Sequence, residues 1–291
     1  HGNTNAAIEV SPYKFNKPNG IGKQDWVHVI DCPNEFRDVD PRYQITEILN
    51  DIQSQGRSLG GFISETFPSV AGQIIPQPGI LQHIYKEIKV AGGVCIADEV
   101  QTGLGRLGDH YFAFEQQQIL PDIVVLGKPI GNGHPIGAVV TTQKIAKAFN
   151  NGIEFFSTFG GSDLSCLIAN EVLEIVDDEM LGDNAKQMGL FLEKGLMELK
   201  LTSRLIGDVR GMGLFWGVEI ISNFETKEAG TSEANYICNR LREKRILVGI
   251  EGPYENILKI RPPLSLIHDD VKIFLRAFAD VLEESYFRVG S

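Results

Sequence analysis

The sequence lacks paired cysteines and long apolar runs, and it is short of positive charge. Cys32, Cys95, Cys166 and Cys238 are scattered with no CxxC spacing, which argues against a disulfide framework or a zinc site and fits reduced thiols. Cys95 and Cys166 are expected in the core. No apolar stretch approaches the roughly 18 to 20 residues of a membrane-crossing helix, and no signal-peptide pattern opens the chain. A cytoplasmic protein with no membrane partner is the expectation. With 27 Lys and Arg against 38 Asp and Glu, the formal net charge is −11. That balance disfavours nucleic acid as a partner, because phosphate binding needs clustered cations. The first residue is not methionine, and a chain opening His-Gly-Asn-Thr reads as a piece of something longer.

What is present is an ordinary globular composition, 43% apolar and 22% charged over 291 residues, long enough for two domains. Short apolar runs at 61–64, 94–97, 123–126 and 136–140 suit strands buried on both faces of a parallel sheet. Between them, Ile80, Ile84, Ile88 and Ala91 recur at helical spacing over 79–91. Strand alternates with helix, so this part is α/β. Helical spacing holds from 164 to about 201, with a break expected near Gly182 and Asp183. A smaller α+β pattern follows: a strand over 214–221, a helix over 231–244, two short strands near Ile246 and Ile257, and a last helix from 268 to about 284. The expected division is a large domain over 1–186 and a small one over 187–291.

Two charged residues close apolar runs. Asp98 ends the strand at 94–97, where open α/β sheets bind ligands. Thirty positions later Lys128 follows the run at 123–126. That interval is about one strand-helix-strand unit, so an acid and an amine are expected to face one cleft. Either one alone is more often a cap or a solvated loop charge. Gly103-Leu104-Gly105-Arg106-Leu107-Gly108 formally fits the dinucleotide fingerprint, yet Asp109-His110-Tyr111-Phe112 offers no clean helix start after it.

The stretch Asp98-Glu99-Val100-Gln101-Thr102-Gly103-Leu104-Gly105-Arg106, followed by Pro121-Asp122-Ile123, Gly127-Lys128, Gly131-Asn132-Gly133 and Ser157-Thr158-Phe159-Gly160-Gly161, resembles the class III aminotransferases. The resemblance stays in register from the first residues to Pro262-Pro263. It implies fold type I: a large, mainly parallel sheet flanked by helices, with a smaller C-terminal α+β domain. It also implies pyridoxal 5'-phosphate (PLP) as cofactor, carried by Lys128 as a Schiff base, with Lys128 later moving the substrate proton. A desolvated amine near other cations has a lowered pKa, which suits both tasks. By the same resemblance Asp98 pairs with the pyridinium nitrogen and keeps the ring an electron sink. Val100 packs on a ring face, Gln101 reaches the phenolic oxygen, and His1 and Gly2 fall among the cofactor-binding positions. Thr158 binds the cofactor phosphate of a neighbouring subunit, which implies a homodimer with shared active sites. The family's phosphate cradle and stacking aromatic residue come ahead of the position of His1. Gly230-Thr231-Ser232-Glu233-Ala234-Asn235 resembles that cradle in the wrong place, so Thr231 is expected to be a helix cap.

The family also implies where substrate binds. Most of its aminotransferases carry an arginine separated by two residues from the Pro-Pro pair, and here Lys259 stands in that slot. A bidentate fork is thereby replaced by a point charge, adequate for phosphate. Ser11-Pro12-Tyr13-Lys14-Phe15, 127–135 and Ile206-Gly207-Asp208-Val209-Arg210-Gly211 resemble the subgroup of phospho-lyases that act on O-phosphoethanolamine or phosphohydroxylysine. Arg261 could serve a carboxylate instead. Glu65 matches an acidic residue near the cofactor, whereas Val70 falls where many relatives have a second acid that gates the arginine. Ser162-Asp163 departs from the family's Asn-Pro, and His134 is as often structural as functional. Amino transfer from an amine or amino acid and elimination of phosphate from a phosphorylated amine both remain open. So does a non-catalytic dimerisation module. No metal site is expected.

Overall fold

The computed structural model describes residues 1–284. Its first sheet contains β1 (Gly61–Glu65), β2 (Val94–Asp98), β3 (Ile123–Leu126) and β4 (Ala138–Thr141), paired in that order. β1, β2 and β3 run parallel, with Glu65 opposite Asp98 and Asp98 opposite Val125. The carboxyl ends of three strands therefore finish on one rim of the sheet. The helix Ile80–Val90 makes the β1-to-β2 crossover, and its period of 3.6 places Ile80, Ile84 and Ile88 on the face that packs with Cys95 and Ile119.

β4 corrects the sequence expectation twice. It begins at Ala138 rather than Ile136, and it runs antiparallel to β3. A parallel return needs a crossover, usually a helix. The stretch 127–137 holds only the 3-10 turn Lys128–Gly131, so the chain doubles back. Ile136 is left to fill the small core around Leu104, Ile130 and Ala169.

The helices Asp163–Asp178 and Leu181–Thr202 carry the chain away from this sheet. The break falls at Met180, which adopts a left-handed φ of 50°, and not at Gly182 or Asp183. Gly182 lies inside the second helix, close under Gly105. That helix also crosses positions 186 and 187 without interruption. Cys166 is exposed on the first of the two helices, contrary to expectation, because Ala169 and Val176 hold its buried face. Cys95 is buried.

The second sheet has the order β5 (Ile206–Met212), β6 (Phe215–Asn223), β9 (Ile257–Ile260), β8 (Gly249–Glu251), with β7 (Glu228–Ala229) on the end of β6. β8 lies three residues beyond the strand expected near Ile246. Leu192 and Leu196, then Ile237 and Leu241 from the helix Thr231–Glu243, and Phe278 and Val281 from the helix His268–Leu282 close over Trp216, Val218 and Ile220. Thr231 is the first residue of its helix and not the cap. Gly230 holds the cap position, and the Thr231 hydroxyl donates to the Tyr254 carbonyl. The glycine-rich stretch 103–108 forms successive turns and leads into no helix, with left-handed φ at Leu104, Gly105 and Gly108.

The two halves meet where that turn region docks on the β5–β6 turn. Gly213 has a φ of 55°, and a Cβ there would lie 2.4 Å from the Arg106 carbonyl oxygen. Gly213→Ala combines a disfavoured conformation with a backbone clash, and is expected to lower stability by about 1–3 kcal/mol. Denaturant midpoints of the intact protein and the variant measure this directly.

Candidate active site

The parallel register sets two acids side by side on the rim. Asp98 is buried, and its Oδ1 accepts the Val100 backbone N–H at 3.0 Å. His1 Nδ1 lies 2.8 Å from its Oδ2. With that nitrogen donating, His1 Nε2 is free to accept from Gln101 Nε2 at 3.1 Å. Glu65 lies alongside, 3.4 Å from His1 Nε2. The other Glu65 oxygen accepts the N–H groups of Ser69 and Val70 at 3.0 and 3.4 Å. Burial, reinforced by the nearby Asp98 charge, pushes the Glu65 carboxyl up to about 6.

Lys128 faces these acids from the end of β3. It opens the 3-10 turn with a left-handed φ of 38°, and its ammonium makes no ion pair among the described residues. Partial burial lowers its ammonium pKa, and the positive charges of Arg261 and Lys259 lower it further, while Glu65 and Asp98 pull the other way. The preceding Gly127 lets the backbone pass Val100, because a Cβ there would lie 3.3 Å from Val100 Cγ2.

The second sheet supplies the cations. Arg261, just past β9, donates through Nη2 to the Gln101 carbonyl at 2.8 Å, and its Nε is buried without a partner. Burial holds this guanidinium down at about 10. Lys259 on β9 pairs with Glu251 on β8 at 2.8 Å. The structure therefore groups His1, Glu65, Asp98, Val100, Gln101, Lys128, Lys259 and Arg261 around one cleft, with Gly2 next to His1 at a φ of 139°. Thr158 does not join them by any hydrogen bond. It lies on an exposed loop beside Phe155, Phe156 and Phe159, which are 73%, 79% and 87% exposed. His134 Nε2 lies 2.9 Å from Ser165 Oγ, a contact that ties a loop to a helix.

Three supporting residues escaped the sequence reading. Glu99, fully buried, accepts from the hydroxyls of Thr66 and Thr102 and from the N–H groups of Ala113 and Phe114. It points away from Asp98, as successive residues leaving a strand do, and pins the turn region behind the site. Burial raises its pKa against the pull of these four hydrogen bonds. Arg106 donates to the carbonyls of Leu214 and Pro262, and burial pushes it down to about 9. Arg210 donates twice to the Gly72 carbonyl, at 3.0 and 2.8 Å, and once each to Asp208 and Glu219 at 2.8 Å. The Gly252 N–H likewise donates to the Val70 carbonyl at 3.0 Å. The loop that Glu65 holds at Ser69 and Val70 is thus held from its far side by the second sheet.

Residues 1–282 match the family model for class III aminotransferases. The chain belongs to the class III aminotransferase family. It is 41% identical over 297 residues to an alanine–glyoxylate aminotransferase 2-like protein of Drosophila melanogaster, covering 97% of this chain and 60% of the fly protein. It is 36% identical over 304 residues to ethanolamine-phosphate phospho-lyase homolog 1 of Caenorhabditis elegans, covering 97% of this chain and 65% of the worm protein. The chain thus spans under two thirds of either relative. Among solved structures, an Arthrobacter phospholyase in complex with phosphoethanolamine superposes with a TM-score of 0.88 at 30% identity, over 97% of this chain and 68% of that one. The fold is fold type I of the PLP-dependent enzymes, in which this family is built. Its first sheet is mixed, with β4 antiparallel.

The raised Glu65 pKa makes a prediction with a definite sign. Ionising Glu65 is harder in the folded protein than in the unfolded chain, so its charge opposes folding above pH 6 and is silent below about 4.5. Glu65→Gln keeps an acceptor for Ser69 and Val70 without the charge. Its stability relative to the parent, with cofactor removed, is expected to climb between pH 4.5 and 6 and to level off near 2 kcal/mol (about 1.4 kcal/mol per pKa unit). Denaturation curves across that range test it, and a flat difference contradicts it.

Proposed function

We propose that this chain carries the lysine-bearing part of a PLP-dependent enzyme that eliminates phosphate from a small phosphorylated primary amine and, with one water, releases ammonia and an aldehyde. The observation that carries the choice of reaction is Lys259. A point charge, and not a guanidinium fork, stands at the substrate-anion position, and the apolar Val70 supplies no gating acid opposite it. The phospho-lyase names of the worm relative and the Arthrobacter structure support the same reading.

The residues present fit the cofactor. Asp98 is a buried carboxylate with His1 Nδ1 2.8 Å from its Oδ2, and such an acceptor suits a protonated ring nitrogen. Lys128 offers an amine without an internal partner. Gln101 Oε1 is buried with no hydrogen bond and is available beside it. Val100 presents an apolar surface between Asp98 and Gly127. Pyridoxal phosphate, when bound, supplies an electron sink for the pair left on the substrate carbon as its proton departs.

The chain's own residues would then divide the work. Lys128 anchors the cofactor, and its lowered pKa lets it take the proton from the carbon bearing nitrogen. Asp98 keeps a positive charge on the ring nitrogen. His1 lies against Asp98, with Gly2 next to it in the chain, and Glu65 lines the same wall. Lys259 steadies the phosphate as its bond to carbon breaks. Thr158 would reach the cofactor phosphate of a second copy, making a homodimer with shared sites. The exposed phenylalanines around Thr158 support that role, since a contiguous apolar patch marks an interaction surface. The division into domains at 186–187 and a cytoplasmic setting belong to the same proposal, the latter in keeping with four free cysteines.

Amino transfer is the second reading. Arg261 favours it, because its Nε has no partner and its guanidinium can fork onto a carboxylate. The name of the fly relative points the same way.

In the intact protein, Lys128→Ala is expected to abolish the borohydride-reducible visible absorption band and to cut turnover at least a thousandfold. A band and turnover that survive would refute the assignment of Lys128. Phosphate released from O-phosphoethanolamine without any keto acid supports elimination. Strict dependence on a keto acid acceptor overturns it in favour of amino transfer.

A further inference from the structure

The slot occupied by Lys259 is not empty of negative charge. The antiparallel register of β8 and β9 sets Gly249 opposite Lys259 and Glu251 opposite Ile257. Glu251 and Lys259 are therefore diagonal neighbours on one face of the sheet, within reach for long side chains. Their charged atoms are 2.8 Å apart, and the side chains are only 22% and 18% exposed. This pair belongs to the cleft and not to the outer surface: the charge of Lys259 is felt at Lys128, and the charge of Glu251 is felt at Arg261. The loop bearing Val70 offers no acid here, and the residue after Glu251 is hydrogen-bonded to Val70. The counter-charge to Lys259 thus comes from its own sheet.

We propose that Glu251 is a specificity-determining residue that masks Lys259 until a doubly charged anion displaces it. The inference rests on the assignment of Lys259 as the phosphate contact. The reason is electrostatic. A carboxylate entering this slot would exchange one single negative charge for another and gain little. A phosphate monoester carries about −1.5 to −2 charges near pH 7, so it outbids a lone carboxylate for the ammonium. Lys259 has three N–H donors and gives one of them to Glu251, so a phosphate can begin to bind before the pair opens. Arg261, with its Nε unpartnered and already within the field of Glu251, receives the displaced carboxylate. Discrimination therefore comes from a built-in competitor as much as from an attraction.

The test uses the intact cofactor-loaded protein and equilibrium binding of inorganic phosphate and of acetate, read by calorimetry or by perturbation of the cofactor absorption band. Glu251→Gln is expected to strengthen acetate binding more than phosphate binding, lowering the phosphate-over-acetate ratio roughly fivefold to tenfold. Glu251→Asp keeps the charge and is expected to retain most of the ratio. In a Lys259→Met background, Glu251→Gln should change neither affinity further. An unchanged ratio in Glu251→Gln, or an equal effect with and without Lys259, overturns the proposal. So does a loss in Glu251→Asp as large as in Glu251→Gln, because that marks a purely structural role. The outcome is independent of the reaction: keto acid dependence with an intact Glu251–Lys259 coupling refutes phosphate elimination alone, whereas keto-acid-free phosphate release without coupling refutes the mask alone.

Discussion

Two carboxylates at neighbouring strand ends, Glu65 and Asp98, repel each other with their side chains largely out of solvent, and the rest of the site is arranged around the charges that answer them. The parallel register of β1 and β2 makes their proximity unavoidable. Asp98 is answered by His1 Nδ1 and by the Val100 N–H. Glu65 is answered by two backbone N–H groups, and burial together with the Asp98 charge raises its pKa against their pull. Across the cleft the cations have the opposite problem. Lys128 is partly buried and also feels the charges of Arg261 and Lys259, so it holds its proton less firmly than a free lysine does. Such a shifted amine, grouped with other charges of both signs, is the kind of feature that marks a candidate site.

The strands that deliver these residues were legible in the sequence because each is an apolar run cut off by a charge or a glycine. Val94–Asp98 and Ile123–Leu126 are of this kind. Strand direction was not legible, since local pattern says nothing about polarity, and only the absence of a crossover helix after Leu126 turns β4 around. β5 was missed as a strand because Gly207, Asp208, Arg210 and Gly211 interrupt any apolar alternation. Its charges make sense only beside residues distant in the chain. Glu219 is buried between Arg210 and Arg37, accepting from both at 2.8 Å, and a buried charge survives only when paired in this way.

The site itself was legible through motif order, and the residues named from it do meet, Thr158 excepted. What stayed hidden were partners that have no sequence signature. Glu99 stands beside Asp98 in the chain yet serves the opposite side of the strand end. Glu251 is eight positions from Lys259, a spacing without meaning until β8 is known to lie on β9. Arg106 and Arg261 hold carbonyl groups and not acids, so no charge pattern announces them.

The loop between Glu65 and Gly72 is gripped at both ends by different sheets. Glu65 holds Ser69 and Val70 from the first, while Arg210 and Gly252 hold Gly72 and Val70 from the second. Such a loop is a connecting rod. Because its anchors lie on both sheets, the placement of the Glu65 carboxylate is tied to that of the second sheet. Mechanical play between the two halves is thereby reduced at the wall beside Asp98.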